Sequence, residues 1–488
     1  MIDVAVVGAG LGGLSAAALL SAKGARVAVF DQHFLPGGFC TSWERTVARG
    51  GRRLRFLFDA GVHDVGGLGP GGGVRQLLEA LGVQDRLRWL RTRYLHALPG
   101  LSLQVPDEWP AFAEALAERF PAERAGIHAL FQELEQCIRA CIPEGGTLSF
   151  LRGEDPALPR RRRQSARWLH APFDALLRTH VTAPPLRELL LRLGRYRTSR
   201  VSALTVAEMA PLFGYYLEGG WYPDGGGSQA LPDLLVEVIR GGGGEVRLST
   251  PVKSILVEGG HAAGVELAGG ERVEARAVLS NADARRTLLE LLPAGALPEQ
   301  MLRKAREAAP ATSAFMVHLG LSPAPPIPAP AIFVRSERGV PLSMWCRPDP
   351  STASEGAAPV TLLVLAPQGE GEPWDRRAPG YAARKRALAD RMLETAEQVV
   401  PEIRSRIAFQ EEASPATFER YAWTSGGAIY GLEVGAWRPP ARLPLGGMHL
   451  AGAGVFPGPG VEGAVVSGAL AAAAIAGELG LPFRFELP

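Results

Sequence analysis

Cysteine is scarce. The 488 residues contain only Cys40, Cys137, Cys141 and Cys346, too few and too scattered for a disulfide framework or a zinc site. No metal is therefore expected, and a reducing compartment suits the chain. Net charge is nearly absent as well, +2 with histidine neutral, and basic and aromatic residues are nowhere compactly interleaved, so nucleic acid is not expected as a partner. There is no long uncharged apolar run. The most membrane-like stretch, residues 461–477, contains Glu462 and mostly small residues and is interrupted upstream by Gly458-Pro459-Gly460, which predicts a buried helix rather than a span. Asp3, and the lack of basic residues before the first apolar run, argue against a signal peptide, so a cytoplasmic location is expected. No fixed-period repeat is evident.

What remains is a globular composition, 47% hydrophobic and 21% charged, long enough for about two or three domains. Its first informative stretch is the N-terminal GAGLGG. Val4 to Val7 form an apolar run suited to a strand buried on both faces, and Leu14 to Ala22 read as a helix. Gly8, Gly10 and Gly13 lie at the junction. The first permits a tight turn, the second lets the backbone approach a pyrophosphate, and the third lets helix and strand pack closely. A second strand, Arg26 to Phe30, ends at Asp31, whose carboxylate suits a ribose hydroxyl and repels a 2′-phosphate.

Farther along, residues 77–142 read as helical and amphipathic, and the glycine-rich segment 219–227 reads as a loop. A helix follows at Leu231 to Ile239, and strands at 245–249, 252–257, 262–267 and up to Asp283. Residues 151–200 hold twelve arginines against Glu154, Asp155, Asp174 and Glu188. Arg160 to Arg163, with Trp168, Leu169, Phe173 and Leu189 to Leu191 after them, read either as a peripheral membrane contact over 160–191 or as a solvated surface. At the far end, Met448 to Gly454 form an apolar strand entering a glycine turn, and Gly458 to Ser467 lead into an alanine-rich helix. This again offers backbone N–H groups at a helix N-terminus. A flavin dinucleotide needs both sites, one for its ADP half and one for the ribitol and ring.

Together VVGAGLGGLSAA, the PGG of Pro36 to Gly38, FDAG at Phe58 to Gly61, GGWYPDGGGSQAL from Gly219, VLSNAD from Val278 and GAGVFPGPGVEGAVVSG from Gly452 resemble the FAD-dependent phytoene desaturase superfamily, which includes carotenoid desaturases, carotenoid isomerases and retinol saturases. The resemblance implies an α/β fold: a Rossmann-type, glutathione-reductase-like FAD-binding domain built from residues 1–75, 215–285 and 441–488, with an inserted, discontinuous α+β substrate domain over 76–214 and 286–440. By the same resemblance Gly8, Gly10, Leu11, Gly12 and Gly13 cradle the FAD pyrophosphate and Asp31 takes the ribose. Gly37 and Gly38 line the phosphate side, and Val252 contacts adenine. Gly452, Ala453, Gly454, Gly460, Val461, Glu462 and Gly463 meet the ribitol and ring.

Phe39 stands where many desaturases carry an arginine, and FDAGVHDVGG and TFERYAWTSGGAIYG look like the isomerase and saturase branch. The implied partner is a hydrophobic polyene or isoprenoid, altered by desaturation, saturation or reduced-flavin isomerisation of C=C bonds. Phe213, Tyr215, Tyr216, Trp345 and Tyr430 are candidate walls of a tunnel, or plain core. His63 and Glu462 are the candidate catalytic residues, able to relay a proton, with a hydrogen-bonded structural role as the alternative for His63. Cys40 is either a reactive thiol or a small buried side chain. An amine oxidase on the same scaffold, or a prenyl-binding escort protein of the Rab GDP-dissociation-inhibitor type, are the other functions such a chain can carry. Neither oligomeric state nor electron partner is legible.

Overall fold

The fold follows from where two kinds of apolar segment can hide. A computed structural model describes residues 1–151, 157–218, 220–335, 339–347, 351–366 and 374–483; of residues 150, 196 and 215–218 only the backbone is described. Strand β1 (Ile2–Val7) is buried from Asp3 onward, and helix α1 (Leu11–Ser21) is buried at every position. A helix apolar on all sides needs cover on all sides. On one side of α1 lies a parallel sheet, ordered Met448–Leu450, Arg272–Ser280, β1, β2 (Val27–Phe30), Glu245–Arg247. On another lies the long helix Val461–Leu479. Small residues let the two helices touch: a Cβ on Gly468 would stand 2.2 Å from the Gly12 carbonyl oxygen.

The strand Arg272–Ser280 serves two pairings. Its first half runs antiparallel to His261–Leu267, with Gly264 opposite Glu274, and its second half runs parallel to β1, with Ala277 opposite Val4. A second seven-stranded sheet is ordered Ile407–Ala413, Ser313–Leu321, Ala358–Ala366, Leu342–Cys346, Ala331–Val334, Tyr94–Leu98, Leu101–Gln104. Ser313–Leu321 is buried throughout, and the helix Tyr381–Ala396 covers part of this sheet through Ala389, Met392, Leu393 and Ala396. Helices within residues 109–218 form a separate core around Phe112, Leu130, Leu169, Phe173, Leu190 and Phe213.

Several expectations change. The helical reading holds for Trp109–Arg119 and Arg124–Cys141, but Trp89–Thr92, Tyr94–Leu98 and Leu101–Gln104 are strands. Gly220–Pro223 is a strand rather than loop, because it pairs with Trp89–Thr92. The apolar half of the suggested bilayer patch is interior: Leu169, Phe173, Leu189 and Leu190 point into the helical core, while Arg160, Arg162 and Arg163 remain exposed. Among the described residues one helix, Val461–Leu479, is long and apolar enough to cross a membrane, and 56% of its apolar window is buried within the protein.

The contact between the first and last helices gives a direct test. Alanine is the better helix former by about 1 kcal/mol, yet Gly468→Ala places a methyl group against backbone that cannot swing aside. A net loss of about 1–3 kcal/mol is expected. A thermal melt of the variant at or above the parent Tm would show that the helices are free to part.

Candidate active site

The β1–α1 turn is built around close approach. Gly8 has φ +95°, and a Cβ on Gly13 would lie 2.3 Å from the Gly8 carbonyl. The Asp31 carboxylate, at the end of β2, accepts from the N–H of Ala9 at 2.6 Å and of His33 at 2.7 Å, which pins the glycine turn to the strand end. Burial raises its pKa against these hydrogen bonds. Each carboxylate oxygen keeps a second lone pair for a ribose hydroxyl. Gly37 donates its N–H to the Ala9 carbonyl at 2.7 Å and bridges Gly10, so the PGG segment lies along the turn. Val252 begins its strand beside Asp31, where Thr250 donates to the Asp31 carbonyl at 2.7 Å.

The unforeseen centre of this region is Asn281, from the VLSNAD segment. A Cβ on Gly10 would lie 2.4 Å from its Nδ2, and one on Gly12 or Gly452 would lie 2.5 or 2.8 Å from its Oδ1. At Gly12 a Cβ would also meet the Gly452 backbone nitrogen at 2.9 Å, and Gly452 itself has φ +95°, so both places call for glycine, while at Gly10 the Asn281 amide would have to give way. The Gly452 N–H is held by Ser467 Oγ at 3.0 Å, and Val461, Glu462 and Gly463 open the last helix, whose first N–H groups have no intrahelical partner.

A second hub explains why three other segments occur together. Buried Asp59, of FDAG, accepts from Ser42 Oγ at 2.8 Å, the Ser228 N–H at 2.9 Å and the Tyr222 hydroxyl at 2.7 Å. Gln229 Nε2 donates to the Pro36 carbonyl at 2.9 Å. Cys40 sits beside this network, 1% exposed, with its thiol donating to the Ser228 carbonyl and its pKa pushed up by burial. It is a buried small side chain and not a nucleophile.

Gly8, Gly10, Gly12, Asp31, Gly37, Cys40, Val252, Asn281, Gly452 and the start of the last helix all face one cavity of about 1480 Å³, which runs on between the two sheets and the helices. Its far wall is aromatic. His63 stacks on Trp345 with ring centroids 5.4 Å apart, and Trp345 meets Tyr94 and Phe333 edge to face. Tyr430 lines it too, as expected; Phe213 does not, being fully buried between Trp109 and Phe173, and the side chains of Tyr215 and Tyr216 lie outside the described residues.

Burial disfavours the charged form of several titratable groups here. The pKa values of His63 and His318 fall to about 3, and the His63 Nε2 finds no hydrogen-bond partner among the described residues. Asp64 and Tyr430 are raised by burial, Asp64 accepting from the Tyr94 hydroxyl at 2.5 Å. Gly220 makes this pair possible, since a Cβ there would overlap the Tyr94 oxygen. Both Asp64 and Tyr430 are partly accessible yet desolvated; the two facts agree because the surface they show belongs to the cavity. Glu462 also lines the cavity, but its Oε1 accepts from the Gly73 N–H at 2.6 Å and from Thr147 Oγ1 at 3.1 Å, capping the helix Gly73–Ala80.

A glycine turn and ribose-type carboxylate at one end, a second helix N-terminus at the other and an enclosed apolar chamber beyond define a dinucleotide-dependent oxidoreductase site. Over residues 11–476 the sequence matches the family described as flavin containing amine oxidoreductase, and the chain belongs to that family, with FAD as its cofactor. It is 28% identical to a chloroplastic prolycopene isomerase from Daucus carota, covering 98% of this chain and 80% of the relative. It is 26% identical to all-trans-retinol 13,14-reductase from Homo sapiens, covering 97% and 85%. Among solved structures, an oxidoreductase from Methanosarcina mazei superposes with a TM-score of 0.66 at 18% identity, over 96% of this chain and 99% of that one. Putrescine oxidase bound to putrescine gives 0.63 at 17% identity, over 98% and 99%. The family and the two curated relatives are consistent with the phytoene desaturase superfamily that its motifs resemble.

Two measurements probe the site. Gly10→Val should abolish FAD binding, since the added atoms claim the space of the Asn281 amide, whereas Asp31→Ala should weaken it by about 1.5–3 kcal/mol, the worth of a hydrogen bond to a charged group. Flavin absorbance titrations giving Gly10→Val the parent affinity would place the cofactor elsewhere. The neutral histidines set a pH dependence. Their folded pKa values near 3 lie below the unfolded value of 6.5, so only the unfolded chain takes up protons in between. Stability is therefore full above about pH 6.5 and falls by about 1.4 kcal/mol per unit for each such histidine as pH drops. His63→Gln should flatten that slope in Tm measured from pH 7 to 5; an unchanged slope would mean His63 is protonated in the fold.

Proposed function

We propose that this enzyme acts on the C=C bonds of a polyene or other polyisoprenoid chain, in the direction of saturation or geometric isomerisation. The observation that carries the reading is the chamber: it is largely apolar and continuous with the glycine turn, and of its two candidate proton relays His63 is neutral and Glu462 is bound to the Gly73 N–H. Such walls suit a substrate with no acidic proton and no heteroatom to polarise. FAD supplies two-electron chemistry at the ring. The chain's own part is to hold the polyene along Trp345, Phe333 and Met316 and to exclude water.

Saturation also consumes a proton. His63, kept neutral, orients the chain against Trp345 but has no spare proton near pH 7. Glu462 is tied to the Gly73 helix. Asp64 is the better store, because burial favours its protonated form and Tyr94 and Tyr430 stand beside it. The relatives named for prolycopene isomerisation and retinol reduction support this direction, as does Phe39, which packs on Phe418 at the cavity edge.

Chemically reduced enzyme, given a conjugated polyene without oxygen, should yield a product either two hydrogens heavier or unchanged in mass with altered geometry. Asp64→Asn should slow the mass gain by about 10²-fold or more while flavin stays bound. Turnover of a less conjugated precursor by oxidised enzyme with a quinone, and none by reduced enzyme, would assign a desaturase instead.

A further inference from the structure

The cavity wall contributed by the helices carries one sign of charge. Between residues 140 and 212 it presents Arg162, Arg192, Arg195 and Arg197 against one carboxylate, Glu208. That carboxylate is occupied, accepting from the Thr205 N–H at 3.0 Å and Oγ1 at 2.9 Å and pairing with Arg197 at 3.4 Å. Arg162 and Arg192 donate to the carbonyls of Ala140 and Val334. Opposite them, Arg438 holds the carbonyls of Ala453 and Leu432, both at 2.9 Å, and burial together with Arg197 lowers its pKa to about 10.

Arg195 differs from all of these. Among the described residues its guanidinium meets no carboxylate, carbonyl or ring. It lines the cavity and is accessible there, and partial burial of the side chain lowers its pKa. A hydrocarbon offers such a cation no hydrogen-bond acceptor and no counter-charge.

We propose that the natural substrate is an isoprenoid or polyene acid, whose terminal carboxylate is received by the Arg195 guanidinium while its chain extends toward the flavin. This rests on the reading of the chamber as a polyene site. A planar guanidinium matches a carboxylate with two parallel hydrogen bonds, and the surrounding arginines deepen the positive potential without competing for the same geometry.

The test uses the FAD-loaded protein with all-trans-retinoic acid and its methyl ester, the same polyene with and without charge, followed by quenching of tryptophan fluorescence. The acid should bind at least about tenfold tighter than the ester. Arg195→Gln should bring the acid down to the ester's affinity and leave ester binding and flavin absorbance unchanged, which also shows that the variant is folded. Equal affinities in the parent, or an acid preference that survives Arg195→Gln, would overturn the inference while leaving the polyene reading intact. If neither ligand binds the loaded protein, the polyene reading falls and the inference with it.

Discussion

One side-chain amide occupies the place where the molecule's two ends meet. Asn281 leaves the strand Arg272–Ser280 and fills a gap bounded by Gly10, Gly12 and Gly452, where a Cβ would crowd it. Through that gap the ends of three parallel strands converge, and from it two helices depart. The helix starts lie side by side only because the backbone there carries no side chains to keep them apart. The same approach sets the register of the β1–α1 turn against Asp31 at the end of β2 and Val252 beside it.

The chamber beyond divides its labour among three walls of different origin. The parallel sheet offers backbone dipoles and little charge. The second sheet offers rings, and beside it stand His63, kept neutral by burial, and Asp64 and Tyr430, whose pKa values burial raises. The helices contribute four arginines against one glutamate. A slender apolar molecule with one polar end would meet these walls in a fixed order, so orientation along the chamber follows from electrostatics while depth is set by packing.

What the sequence made legible was what depends on near neighbours. The β1–α1–β2 unit, Asp31, and the final helix announce themselves through short apolar runs, glycine spacing and small residues, and they occupy the expected places. Strands that need a distant partner did not: Trp89–Thr92 reads as helix until Gly220–Pro223 lies beside it. Asn281 stood inside a recognised segment with nothing local to mark its amide as a keystone. Leu189, Leu190 and Phe213 are apolar whether they face lipid, a ligand or one another, and only the third dimension shows that they face one another. Arg195 was one of twelve arginines in its stretch; which of them turns inward is a property of the wall, not of the count.

The placement of the last helix also orders events in time. α1 is apolar on every side, and one of those sides is closed only by Val461–Leu479, so during vectorial synthesis an early-made helix stays uncovered until almost the whole chain has left the ribosome. The glycine turn before α1 and the N-terminus of that helix come to face one cavity only at that late step.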